Sequence, residues 1–285
     1  MSIEFIPLCE ALGAEVVGID VTTKLSDQTI AEIREGLLKY NILLFRKQEM
    51  TIEQQMAFTE QFGVLKVSTN SRNRFPAHPE VLVFSNIKVD DEYIGSPPAR
   101  TGEGWHSDFF YLKEPAGGSF FYAKEMPEEG GDTWFANMTR AFEALSEGKK
   151  TEISHRTCTY SQLKTLQILN PELSPLTAKQ KCETPEVVHP MVRVHPETGH
   201  KALFIGLRGT PACSVEDMVG DEGIEFLEGL RSFATQPQFT YTHHWRPGDA
   251  VLWDNRCTMH RASVFPDSNG RRLCYRTTTE GGLPY

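Results

Sequence analysis

A chain of 285 residues exceeds the usual single-domain size, yet all-β sandwiches and barrels reach about 250 residues as one unit, so a single domain over residues 1–285 is expected. With 39% hydrophobic and 10% aromatic residues the chain can build a sizeable core, which excludes a disordered chain; a net charge of −9 without a Lys/Arg cluster excludes a broad nucleic-acid interface. The start lacks the basic and apolar stretches of a secretory leader and the longest apolar run, Ile42 to Phe45, cannot span a bilayer, so a cytoplasmic protein with no membrane partner is expected.

In chain order, the run Gly13 to Val21 alternates as a strand, and Ser26 and Asp27 offer caps for a helix carrying Ile30, Ile33, Leu37 and Leu38 at helical spacing. Asn41 ends it, and Ile42 to Phe45 reads as a short buried strand. Thr51 followed by Gln54 is a capping-box pattern opening a second helix that Gly63 stops. Residues 66–104 are rich in Pro, Gly and Asn around one strand, Val81 to Phe84. Strands follow at Gly118 to Ala123 and after the Gly130-Gly131 turn, then a helix from Asn137 to Leu145. Residues 148–186 carry the least pattern and read as an insertion or lid. A hairpin spans Val192 to Ile205 and a helix Glu222 to Phe233; the rest is strand, tight turn, strand (Ala250 to Trp253), a loop through His260, and a turn over Phe265 to Gly270 that would fold a last strand, Arg272 to Thr279, back along the segment ending in His260. Many short strands, few helices and no βαβ alternation predict a mainly β protein with flanking helices, closed or sandwiched as in a jelly roll.

Six cysteines, Cys9, Cys158, Cys182, Cys213, Cys257 and Cys274, form no Cys-x-x-Cys pair, which excludes a zinc ribbon and a dithiol motif and predicts reduced thiols. The chemistry concentrates elsewhere. In Gly104-Trp105-His106-Ser107-Asp108-Phe109-Phe110 a strand conformation would put His106 and Asp108 on one face, able to grip one cation. The best third ligand is His260, and two imidazoles with one carboxylate leave coordination positions open, the ligand set of non-haem Fe(II) oxygenases. In Arg272-Leu273-Cys274-Tyr275-Arg276 two guanidiniums share a strand face. If that face is inside, each needs an anion such as a dicarboxylate; outside, both are simply solvated. His243 and His244 would face opposite sides of a strand, while His195 and His200, flanking a turn, read as surface residues.

Trp105 to Asp108, Gly130-Gly131-Asp132-Thr133, Trp253 to His260, and Arg272 with Arg276 together resemble the taurine dioxygenase / aryloxyalkanoate dioxygenase family over nearly the whole chain. The blocks His189 to Arg193 and Lys201 to Gly206 look more like its aryloxyalkanoate branch. The resemblance implies a cupin-like double-stranded β-helix. It further implies a dioxygenase that uses Fe(II), 2-oxoglutarate and O2 to hydroxylate a C–H bond of a small anionic carboxylate or sulfonate, with succinate and CO2 as coproducts. His106, Asp108 and His260 would be the iron ligands, Thr133 and Arg272 would hold the distal carboxylate of 2-oxoglutarate, and Arg276 would meet the substrate's acid group with Phe109 as a pocket wall. Arg272 lies one residue further past its histidine than in the taurine branch, which leaves the division of labour between the arginines open. An intact Asp108 implies hydroxylation, since related halogenases carry a small residue there. The competing readings are a metal cupin that does not use 2-oxoglutarate and a non-catalytic jelly-roll binding protein; a homo-oligomer is left open.

Overall fold

A computed structural model describes residues 3–68, 71–96, 104–164, 177–183, 185–206, 213–218, 220–263 and 270–285. Its strands are, in order, β1 (Glu4–Pro7), β2 (Ala14–Val17), β3 (Ile42–Phe45), β4 (Arg74–Phe75), β5 (His78–Ser85), β6 (Lys88–Val89), β7 (Glu92–Tyr93), β8 (Ala116–Glu125) and β9 (Thr133–Asn137). They continue as β10 (Thr157–Tyr160), β11 (Val187–Pro190), β12 (Val192–Val194), β13 (Lys201–Leu203), β14 (Cys213–Val215), β15 (Thr240–His243), β16 (Ala250–Asp254), β17 (Thr258–Ala262) and β18 (Leu273–Glu280). The helices used below are α1 (Asp27–Tyr40), α2 (Ile52–Glu60), α3 (Met138–Glu143), α4 (Glu147–Ile153), α5 (Ala178–Glu183) and α6 (Asp221–Ala234).

The major sheet has the order β1-β2-β3-β16-β8-β18-β5-β4, and the minor sheet facing it is β15-β9-β17. Together they form the jelly roll. Pleating divides each central strand of the major sheet between two cores. Leu43 and Phe45 of β3, Phe120 and Tyr122 of β8, and Ala250 and Leu252 of β16 face outward, where they pack with Ile33 and Leu37 of α1 and Phe58 of α2. Ile42, Leu44, Phe121, Ala123, Val251 and Trp253 face inward and meet Phe135 of the minor sheet and Trp245. Strands covered on both faces lose the apolar-polar alternation, which is why Ile42 to Phe45 reads as one apolar run. Behind the minor sheet lies a third core, in which Ala136 and Met259 pack against α3, α4, α6 and the strands β10 to β14.

Local chemistry sets the helix ends. Ser26 caps α1 through Thr29 N–H and Asn41 closes it in the left-handed region at φ 64°. Thr51 and Gln54 make the reciprocal capping box of α2. The strands exceed expectation: β1, β4, β6, β7, β10, β11 and β14 were not expected, and β17, which carries His260, falls where a loop was expected. The last strand does not fold back along it, because β17 pairs with β9 while β18 pairs with β5 and β8. The turn expected near residues 265–270 lies mostly outside the described residues. Of the expected insertion, α4 and β10 supply Ile153, Cys158 and Tyr160 to the third core and α5 is an exposed helix, whereas residues 165–176 lie outside the described residues.

Candidate metal centre and anion socket

His106 and His260 are brought together by backbone. Each donates its N–H to the other's carbonyl, at 2.9 and 2.8 Å, which adds His106 as a one-residue rung to the edge of the minor sheet. The rings end with centroids 4.3 Å apart. Asp108 does not reach them through a pleat, as expected, but through a turn that begins at Asp108 and places Phe109 at φ 53°. The turn is pinned by Asp108 N–H, which donates to Asn255 Oδ1 at 3.0 Å. As a result, one ligand atom from each of His106, Asp108 and His260 lies within 4.8 Å of the others.

The protonation states suit a cation. Burial drives His260 down to about 3, with His106 adding to the fall, and burial likewise lowers His106, so both imidazoles are neutral. His106 Nδ1 lies 2.7 Å from Gly104 O, an assignment that places its proton there and leaves Nε2 free. Burial opposes ionisation of Asp108, but Arg276, His260 and His106 outweigh it and hold the carboxyl below its usual value. Arg276 Nη1 donates to Asp108 Oδ1 at 2.5 Å, and Ser119 Oγ donates to Oδ2 at 2.7 Å. Ser119 is oriented in turn by Asn255 Nδ2 at 2.9 Å, while Asn255 Oδ1 also accepts from Trp253 Nε1 at 3.1 Å. Sequence reasoning missed Ser119 and Asn255; the only signal was that Asn255 sits inside the Trp253 to His260 block.

Both arginines face inward, which decides between the alternatives left open by the sequence. Arg276 packs its guanidinium 5.1 Å from the Phe84 ring and 5.9 Å from Phe109. Arg272 is 5% exposed, lies 6.0 Å from the Phe121 ring, and its Nε has no hydrogen-bond partner among the described residues. A Cβ on Gly131, at φ +76°, would meet that Nε at 3.5 Å and Met126 Cε at 3.2 Å, so the glycine keeps the space beside the guanidinium clear. Thr133, on β9, is buried and accepts from Trp245 Nε1 at 2.9 Å. Phe109 is buried against Leu82 and Ala116 and is at once a core residue and a neighbour of Arg276.

A second group, His195, Asp254 and Cys257, also has ligand atoms in mutual reach. Its lone pairs are already engaged. Asp254 accepts from His195 Nε2 at 3.0 Å and from Arg256 Nη2 at 2.6 Å, and His195 Nδ1 accepts from two backbone N–H groups. Burial pushes the Cys257 thiol well above its usual range, so no thiolate is available. His195 is therefore a buried structural residue, contrary to its expected place on the surface, whereas His200 is exposed. His243 is buried and His244 exposed, as expected from their adjacency.

The family described as taurine catabolism dioxygenase TauD, TfdA family, matches residues 4–278. The (S)-phenoxypropionate/alpha-ketoglutarate-dioxygenase of Sphingobium herbicidovorans is 32% identical over 96% of this chain and 94% of its own. The alpha-ketoglutarate-dependent 2,4-dichlorophenoxyacetate dioxygenase of Cupriavidus pinatubonensis is 33% identical over 98% of each chain. Among solved structures, AAD-2 in complex with Mn(II) and N-oxalylglycine aligns with a TM-score of 0.81 at 30% identity, covering 100% of this chain and 99% of that one.

Proposed function

Since the chain belongs to the taurine catabolism dioxygenase TauD/TfdA family, whose relatives depend on 2-oxoglutarate (alpha-ketoglutarate), we propose that it is an Fe(II)- and 2-oxoglutarate-dependent dioxygenase that hydroxylates a small organic anion. One observation carries the reading: two neutral imidazoles and an ionised carboxylate from distant stretches converge in the same interior that holds a buried arginine whose Nε is unpartnered among the described residues. Bound ferrous iron would couple oxidative decarboxylation of 2-oxoglutarate to attack on a substrate C–H bond, releasing succinate and CO2. The chain's own residues bind and orient. His106, Asp108 and His260 would hold the metal on one face, leaving the opposite face open. Arg272 offers a planar fork to a carboxylate and Thr133 a hydroxyl, which suits the distal end of a keto diacid. A cupin that does not use 2-oxoglutarate gives neither residue a role.

Arg276 lies between two phenyl rings, an arrangement that suits an anion with an apolar or aryl body, as in the aryloxyalkanoates for which the relatives are named. Its bond to Asp108 favours a second role, steadying the metal carboxylate. Replacement of Arg276 by Leu separates the two. A raised KM for acidic substrates with intact metal affinity supports substrate binding; weakened metal affinity with unchanged KM supports the orienting role.

Asp108→Ala and His260→Ala are each expected to abolish both metal uptake and substrate-stimulated succinate release. Substantial release from either variant would refute the ligand assignment. A screen of small carboxylates, sulfonates and aryl ethers for succinate release would identify the substrate. Among the described residues no helix is long and apolar enough to cross a membrane, and the free thiols of Cys9, Cys158, Cys182, Cys257 and Cys274 fit a reducing compartment such as the cytoplasm.

A further inference from the structure

We infer that Trp245 is a positioning residue for the 2-oxoglutarate socket: its indole N–H fixes the Thr133 hydroxyl so that the hydroxyl donates to the distal carboxylate. The inference rests on the proposed roles of Arg272 and Thr133. An indole N–H can only donate, and a hydroxyl has one hydrogen and two lone pairs. Trp245 Nε1, 2.9 Å from Thr133 Oγ1, therefore occupies a lone pair and leaves the hydroxyl hydrogen for another partner. Among the described residues none accepts that hydrogen. The next group needed is an acceptor, and a carboxylate drawn in by Arg272 supplies one.

The indole is held firmly enough to do this. It is 7% exposed, meets the His243 ring edge-on at 4.4 Å and the Phe121 ring at 5.0 Å, and Phe121 is also the ring under Arg272. His243 Nε2 lies 3.2 Å from Asp249 Oδ2, which accepts from Arg46 Nη1 at 2.7 Å. Thr133 and His243 are register partners across β9 and β15, so the residue two beyond His243 can reach back over the threonine. A socket built in this way presents the Arg272 guanidinium and the Thr133 hydrogen as donors. It selects an anionic terminus over a methyl group.

The test is binding rather than turnover. Protein loaded with Mn(II) is titrated calorimetrically with 2-oxoglutarate and with 2-oxopentanoate, which ends in a methyl group where the diacid has its distal carboxylate. Trp245→Phe is expected to weaken 2-oxoglutarate by about three- to tenfold, as for a lost hydrogen bond between neutral groups, and Thr133→Val by more than about tenfold, as for a lost hydrogen bond to a charged acceptor. The double variant should bind no more weakly than Thr133→Val alone, and 2-oxopentanoate should be unaffected by Trp245→Phe. Additive losses, equal weakening of both ligands, or no loss would overturn the role of Trp245. If Trp245→Phe does not fold, benzothienylalanine at the same position keeps the ring size while removing the N–H, and the same outcomes apply. Wild-type protein that takes up Mn(II) but not 2-oxoglutarate would instead overturn the socket, and the inference with it.

Discussion

Asp108 is a carboxylate kept charged at 3% exposure, and the groups that keep it so are the ones the sequence does not advertise. Arg276 supplies the charge, but Ser119 and Asn255 supply direction: one oxygen accepts from Ser119, and the backbone N–H of Asp108 is tied to the Asn255 amide. Partners of this kind fix the orientation of a metal ligand, and their loss commonly weakens metal binding by about 10- to 100-fold. Asn255→Ala is expected to fall in that range in a competition titration with a coloured chelator, and an unchanged affinity would contradict the role. His106, Asp108 and His260 could be named as candidates because metal chemistry restricts ligands to few residue types, and the fold brings their ligand atoms within 4.8 Å of one another. Ser119 and Asn255 were not, because a serine or asparagine becomes a partner only through cross-strand register, here that of Trp253 opposite Ser119. His195 was misread for a related reason. A turn-flanking histidine is usually solvated, but this one is drawn inside by Asp254, 59 residues away.

Elements with local signals were the most readable. The Ser26 and Thr51 caps, the left-handed Asn41 and the four-residue strand β3 all depend on neighbours in sequence. Thr51→Ala should cost about 1 kcal/mol of stability, the usual worth of such a cap, and leave metal affinity unchanged. Denaturant unfolding with and without Mn(II) checks both halves, and a loss of affinity would show that α2 is coupled to the site. The strand β17 was not readable. Its five residues, Thr258 to Ala262, include a histidine and an arginine and carry no strong strand pattern; only pairing with β9 on one side and the His106 rung on the other makes it a strand. Arg261 shows the same dependence on context: its guanidinium lies 5.3 Å from the Trp105 ring and 4.4 Å from Trp134, so a polar residue is housed between two aromatic ones.

For the whole molecule, strand count and the lack of βαβ alternation were enough to predict a closed or sandwiched β architecture, which the family resemblance narrowed to a jelly roll, but not to assign strands to sheets. That assignment is set by which faces meet, as β18 illustrates by leaving β17 for β5 and β8. The interior also sets the response to acid. Burial lowers His106, His189, His243 and His260 alike, so in the fold they are neutral, while in the unfolded chain they titrate near 6.5. Below about pH 6.5 the unfolded chain thus binds more protons than the native one, and each proton of difference lowers stability by about 1.4 kcal/mol per pH unit. Stability from these groups is complete above that pH and is lost as the pH falls toward their native values. The melting temperature of metal-free protein should fall steadily from pH 7.5 to 5.5, and a flat or rising profile would contradict the neutral assignment.

Anomalous diffraction from protein crystallised with Mn(II) and N-oxalylglycine would locate the metal directly. The expected result is a single strong peak bounded by His106, Asp108 and His260, with the analogue's distal carboxylate on Arg272 and Thr133. A peak between His195, Asp254 and Cys257, or none at the first site, would contradict the account.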